Sequence, residues 1–262
     1  MRSAPPPASE TGLRRVEQIM GMPISIDVRD AGIEPAALER AFAWLRFVDE
    51  TFSTYRDDSE VSRLACGELA LDDAHPEVRY VLGRCEQLRR ETGGYFDARG
   101  TGRGPLDPSG LVKGWSVDRA ARILEIAGAC NYLVNAGGDI RLRGRPAPGA
   151  RWRVGIQHPI VRDRLAAVIE ADDLAIATSG EYERGAHILD PHTGEAPTGV
   201  LSVTVVGPDL ATADAYATAA FAMGEDGPRW TARLAPYEAM TILADERVLL
   251  TGGFPAVDDE GS

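Results

Sequence analysis

Lysine is almost missing from this 262-residue chain: of 28 Lys and Arg residues one is a lysine, Lys113, and the others are arginine. Base composition of the coding sequence explains an arginine bias, but not why one lysine survives it. Arg carries a planar, bulky fork and Lys a slim point charge on a flexible stem, so a narrow site needing a single ammonium retains Lys. Chance retention stands as the alternative until the neighbours are considered.

Other scarcities exclude whole classes. Cationic charge is short, with a net charge of −12 and pI near 4.9, which argues against nucleic acid and anionic membrane surfaces as partners. Cysteine is sparse: Cys66, Cys85 and Cys130 are odd in number and in no CxxC spacing, so neither a disulfide framework nor a zinc site is indicated and a reducing cytoplasm fits. No stretch approaches the roughly 18 to 20 consecutive apolar residues of a membrane span. Residues 1–15, rich in Pro, Ala and Ser, contain no apolar run of the signal-peptide kind and read as a disordered lead-in. Familiar nucleotide motifs are missing too. Gly102-Arg-Gly104 opens like GxGxxG but has Asp107 at the third glycine, and no GxxxxGK[ST] occurs, so any nucleotide is held by other means.

What is present alternates helical and strand patterns. A half-buried strand is predicted within 18–28, where Ile24, Ile26 and Val28 alternate with polar residues. Amphipathic helices follow from Pro35 to about Val48, and from Pro76 to the Gly93-Gly94 stop. A third is expected from Ser116, a good N-cap, to Gly128. Strands are expected at 132–136, 139–144, 152–156, 166–171, 174–180 and 201–207, a last helix at 211–223, closing strands at 238–243 and 247–252, and an acidic tail at 254–262. Helices mixed with consecutive strands favour an α+β fold over a doubly wound sheet, in a single domain over residues 16–253.

Several constellations could carry chemistry. Asp214 and Thr218 lie four apart in the last helix and project from one face, where a carboxylate and a hydroxyl can share a magnesium ion, which takes oxygen ligands and keeps places for water and phosphates. An Asp near a helix start also satisfies backbone donors, so both readings stand. In LDPSGLVKGWSVD at 106–118, Pro108, Ser109 and Gly110 suggest a turn that presents Lys113 ahead of a helix; such a turn suits a pyrophosphate, and a solvated lysine is the plain alternative. His187 precedes a short apolar run and is a candidate general base, or a structural histidine. Aromatics at 51–64 and 93–100 could stack on a flat ligand or pack in the core.

Taken in order, MGMPISIDV, FSTYRDDSEVSRL, GYFDARG, LDPSGLVKGWSVDRA, LVNAGGDIRLRG, WRVGIQHP, ATSGEYERG, HILDPHTG and ADAYATAAFAMG resemble the ApbE family of FAD:protein FMN transferases. The resemblance runs from about Met20 to Gly224. It implies a T-fold-like α+β architecture with FAD in a cleft and magnesium across its pyrophosphate. Met20, Tyr55, Tyr95, Phe96, Asp97, Asp107, Lys113 and Ile188 then stand where family members contact FAD, and Asp214, Thr218 and the Gly110 carbonyl fall at the metal positions. The implied reaction is attack by a Thr or Ser hydroxyl of a target flavoprotein on the phosphorus nearer riboflavin, releasing AMP, with Lys113 neutralising charge and His187 as base. The chemical neighbours of this reading are an FAD pyrophosphatase and a non-catalytic flavin-nucleotide carrier. Two departures stand out: the segment between Arg184 and His187 is short for the family, and the export or lipid-anchor signal of many bacterial relatives is not seen, which implies a cytoplasmic target. Neither composition nor motifs indicate an oligomeric state.

Overall fold

A computed structural model describes residues 12–99, 106–161, 163–180 and 188–257 of the protein. Its centre is an eight-stranded antiparallel sheet in the order β1-β2-β3-β4-β7-β8-β9-β10, built from Leu13–Ile19, Met22–Val28, Tyr132–Ala136, Asp139–Arg143, Asp173–Gly180, Val200–Gly207, Glu238–Leu243 and Val248–Leu250. A smaller antiparallel sheet joins β5 (Trp152–Gln157), β6 (Leu165–Ala171) and β11 (Ala256–Val257). The helices are α1 (Pro35–Phe52), α2 (Glu60–Ala65), α3 (Pro76–Glu91), α4 (Ser109–Ile126), α5 (Leu210–Ala222) and α6 (Gly227–Thr231). The α+β expectation holds.

Successive side chains of a strand point to opposite faces, so the central sheet supplies two cores. Ala175, Ala177, Val203, Val205 and Ala239 pack with α1, α4 and α5 on one face. Their neighbours Ile176, Val206, Met240 and Ile242 pack on the other against Trp152, Val154 and Ile169 of the small sheet. A third cluster, with Phe52, Val78, Leu88, Phe96 and Leu111, lies among the helices. Among the described residues no helix is long and apolar enough to cross a membrane.

Four expectations change. The strand predicted within 18–28 is a hairpin: Ile19 pairs with Met22 across a two-residue turn in which Met20 and Gly21 have φ of 55° and 73°, the positive pair that a type I′ turn demands. Its first strand begins at Leu13, inside the presumed lead-in. The third helix starts at Ser109, not Ser116; the Asp107 carboxylate accepts from Ser109 N at 2.9 Å, and Ser116 is buried, its hydroxyl donating to the Lys113 carbonyl. Lys113 therefore sits in a helix rather than in a turn before one. Finally, the supposed tail contributes a buried Phe254 and the short strand β11, which pairs with Ile169 and Val168.

Candidate functional site

The site is organised by the crossing of α4 and α5. A Cβ added to Gly114 would collide with the Leu210 carbonyl, so only glycine permits this approach. Asp118 of α4 fastens the joint by accepting from Leu210 N at 2.8 Å and Ala211 N at 2.9 Å, at the α5 N-terminus. Burial pushes the Asp118 carboxyl up to about 7, against the pull of those amides and Arg141. Asp214 Oδ2 in turn accepts from Gly114 N at 3.0 Å. A regular helix would commit that amide to the Gly110 carbonyl, so the Asp214 carboxylate competes with a backbone oxygen of the first turn of α4.

This crossing gathers the charged groups. Lys113 Nζ lies 2.9 Å from Asp139 Oδ2 and 3.8 Å from Asp214 Oδ1, with the lysine side chain 17% exposed, Asp139 fully buried and Asp214 nearly so. Asp139 opens β4 directly after a Gly137-Gly138 turn with φ of 59° and 106°, and its Oδ1 accepts from Thr178 N at 3.2 Å. Thr218, one helical turn beyond Asp214, has its hydroxyl 3.4 Å from Ser179 Oγ. A Cβ on Gly110 would stand 3.4 Å from Thr218 Oγ1 and 3.2 Å from Phe96 Cε2. Asp214, Thr218, Ser179 and the Gly110 backbone thus offer oxygen donors only, and no group of three His, Cys, Asp or Glu is gathered among the described residues. That chemistry fits magnesium, whose shell is usually completed by water and substrate phosphates.

Lys113, Asp214, Thr218, Ser179 and Gly110 border a cleft of about 830 Å³, with the buried Asp139 behind its wall, within the ordinary size of a small-molecule site. Met20, Tyr55, Tyr95, Phe96, Asp97, Asp107, Gly110, Lys113, Ile188, Asp214 and Thr218 all line it. His187 lies outside the described residues. At the aromatic end, Phe96 is buried, Tyr95 meets His192 edge-on at 4.6 Å, and Tyr55 is 93% exposed at the rim. Asp97 Oδ1 accepts from Arg99 N at 2.8 Å, and Asp107 N donates to the Ala98 carbonyl, which ties the two loops together. The wall beyond Ile188 is a turn in which Asp190 accepts from His192 N and Gly194 N.

Sequence reasoning missed Asp139, Thr178, Ser179, Arg56 and Arg99, which lie on or just behind the same cleft wall. The signal for Asp139 was an acidic residue directly after Gly-Gly at a strand start; its burial depends on α4 packing over it. Cysteine chemistry plays no visible part: Cys66 and Cys130 are exposed free thiols, and burial pushes the Cys85 thiol up to about 12.

The ApbE family model matches residues 20–101 and 98–241, a span that contains every described residue of this cleft. The chain belongs to the ApbE family. Among curated relatives it is 43% identical over 131 residues to an FAD:protein FMN transferase of Vibrio cholerae and 30% identical over 244 residues to one of Rhodobacter capsulatus. Those matches take in 46% and 85% of this chain but 39% and 43% of the relatives, so the chain spans less than half of their length. The solved structure of the flavin transferase ApbE from Vibrio cholerae superposes with a TM-score of 0.79 at 27% identity, over 94% of this chain and 99% of that one.

Proposed function

We propose that this ApbE-family chain transfers the FMN portion of FAD to a Thr or Ser hydroxyl of a target protein and releases AMP, in a magnesium-dependent reaction. The observation that carries the reading is the cleft itself: its lining offers Lys113 beside Asp214 and Thr218 together with Tyr95, Phe96 and Met20. A dinucleotide of flavin and adenosine joined by a pyrophosphate needs both kinds of surface. The relatives named FAD:protein FMN transferase supply the reaction class.

The bond to be made is from the target hydroxyl oxygen to the phosphorus nearer riboflavin; the bond to be broken joins that phosphorus to the bridging oxygen, which departs with AMP. Phosphoryl-type transfer is catalysed mainly by positioning and charge neutralisation. Lys113 places its ammonium against the pyrophosphate, and the aromatic wall fixes the flavin. His187, next to the cleft-lining Ile188, takes the hydroxyl proton as base. Asp214, Thr218 and the Gly110 carbonyl would hold magnesium, which when bound supplies positive charge to the pyrophosphate oxygens.

Incubation with FAD, magnesium and a candidate acceptor protein, followed by intact-mass measurement, tests this. An FMN increment on the acceptor with one AMP released per increment is the expected result. AMP without acceptor modification would instead make the chain an FAD pyrophosphatase, and FAD binding without AMP a carrier.

A further inference from the structure

We infer that Asp139 is a positioning residue for the metal end of the cleft: it holds the Lys113 ammonium back from Asp214 and so prevents the lysine from competing with a divalent cation there. This rests on the reading of Asp214 and Thr218 as metal positions.

An ammonium and a metal ion are alternative counterions for one carboxylate. Asp214 turns Oδ1 to Lys113, while its Oδ2 accepts from Gly114 N. The Lys113–Asp214 separation of 3.8 Å is at the outer limit of an ion pair, whereas the 2.9 Å to Asp139 is a close one. Of these two carboxylates the lysine is paired with Asp139 and only near Asp214. Its stem is flexible; its partner is not. Asp139 is fully buried at the start of β4, behind a two-glycine turn, and its second oxygen is engaged by Thr178 N. With the charge at 139 removed, the ammonium's next carboxylate among the described residues is Asp214, and a displacement of about 1 Å brings it into hydrogen-bond range there. That movement would put a positive charge where the metal must sit. In the intact site the same ammonium stays close enough to face a phosphate bound beside the metal.

The test measures Mn²⁺ binding to the full chain without FAD, by the electron paramagnetic resonance of the free ion. Asp139→Asn should weaken binding about tenfold, a modest electrostatic competition. The double variant Asp139→Asn/Lys113→Met should regain wild-type affinity or better, a rescue that mere loosening of the fold would not give. Because Lys113 is the only lysine, protein labelled with ¹³C-lysine gives one side-chain signal, and Mn²⁺ should broaden it at lower concentration in the wild type than in Asp139→Asn. Unweakened binding by Asp139→Asn, or a double variant as weak as the single, overturns the inference. Should Asp139→Asn not fold, Lys113→Met alone must bind Mn²⁺ at least as tightly as the wild type, and weaker binding overturns it equally. Asp214→Ala separates the two levels: if it binds Mn²⁺ normally the metal reading itself falls, and if it loses binding while Asp139→Asn does not, the role of Asp139 alone falls.

Discussion

The two ends of the cleft are built differently. The charged end stands on regular structure: Lys113 and Gly110 on α4, Asp214 and Thr218 on α5, Asp139 and Ser179 on adjacent strands, all packed at near-contact distances. The aromatic end is made of turns and loops, with Met20 at positive φ, Tyr55 almost wholly exposed, and Asp97 and Asp107 in the segments flanking the undescribed residues 100–105. Charge neutralisation at a reacting phosphorus falls off with small displacements, so it belongs on rigid elements. Holding a flat ring requires contact area more than angular accuracy, and loops can supply that.

If this division is right, substitutions at the charged end should lower turnover and those at the aromatic end should lower affinity. The largest effect is expected from Asp214→Ala, which removes the one carboxylate of the proposed metal set: magnesium-dependent turnover should fall by at least about 10²-fold. It also removes a charged acceptor from Gly114 N and leaves that amide to the Gly110 carbonyl, at a cost of about 1 kcal/mol, so a thermal melt should show a slightly lowered but cooperative transition. Normal turnover in that variant would remove the metal from this end.

Lys113→Arg comes next, with a loss in kcat/KM of about 10- to 100-fold, because a forked guanidinium cannot occupy the slot of a point charge between two buried carboxylates. Normal FAD affinity and rate in this variant would return Lys113 to the status of a chance survivor. Gly110 is where the two ends meet, since a Cβ there would touch both Phe96 and Thr218. Gly110→Ala should therefore change kcat and KM together, by about threefold to tenfold in kcat/KM, with a stability change near 1 kcal/mol. An effect on KM alone would place the boundary between the ends elsewhere.

The charged end was legible in the sequence where its partners are close in the chain. Asp214 and Thr218 share a helix face by spacing alone, and Lys113 was conspicuous by rarity. Asp139 escaped because its partner comes from another element, brought over it by the packing of α4 and α5; strand alternation gives a face but not what covers it. The start of α4 was misread for a related reason: Gly110 and Gly114 look like turn residues, yet both serve close approach inside a helix, against Phe96 and Thr218 and against Leu210. The hairpin at Met20-Gly21 was hidden because a methionine at positive φ has none of the Asn-Gly or Asp-Gly signature of such turns.

The smallest expected effect is the most discriminating for the aromatic end. Tyr55 is 93% exposed at the cleft rim and touches the fold mainly through its backbone, whose N–H donates to Ser53 Oγ at 3.3 Å. Its ring therefore lies outside the core, and Tyr55→Ala should leave stability within about 0.5 kcal/mol of the wild type. Loss of one stacking surface costs on the order of 0.5–1.5 kcal/mol, so KM for FAD should rise about twofold to tenfold. Stacking on the flavin acts alike before and during transfer, so kcat should not move. Steady-state kinetics with varied FAD decides it: a fall in kcat with unchanged KM would mean that the rim takes part in the transfer step, and the two ends would no longer divide binding from chemistry.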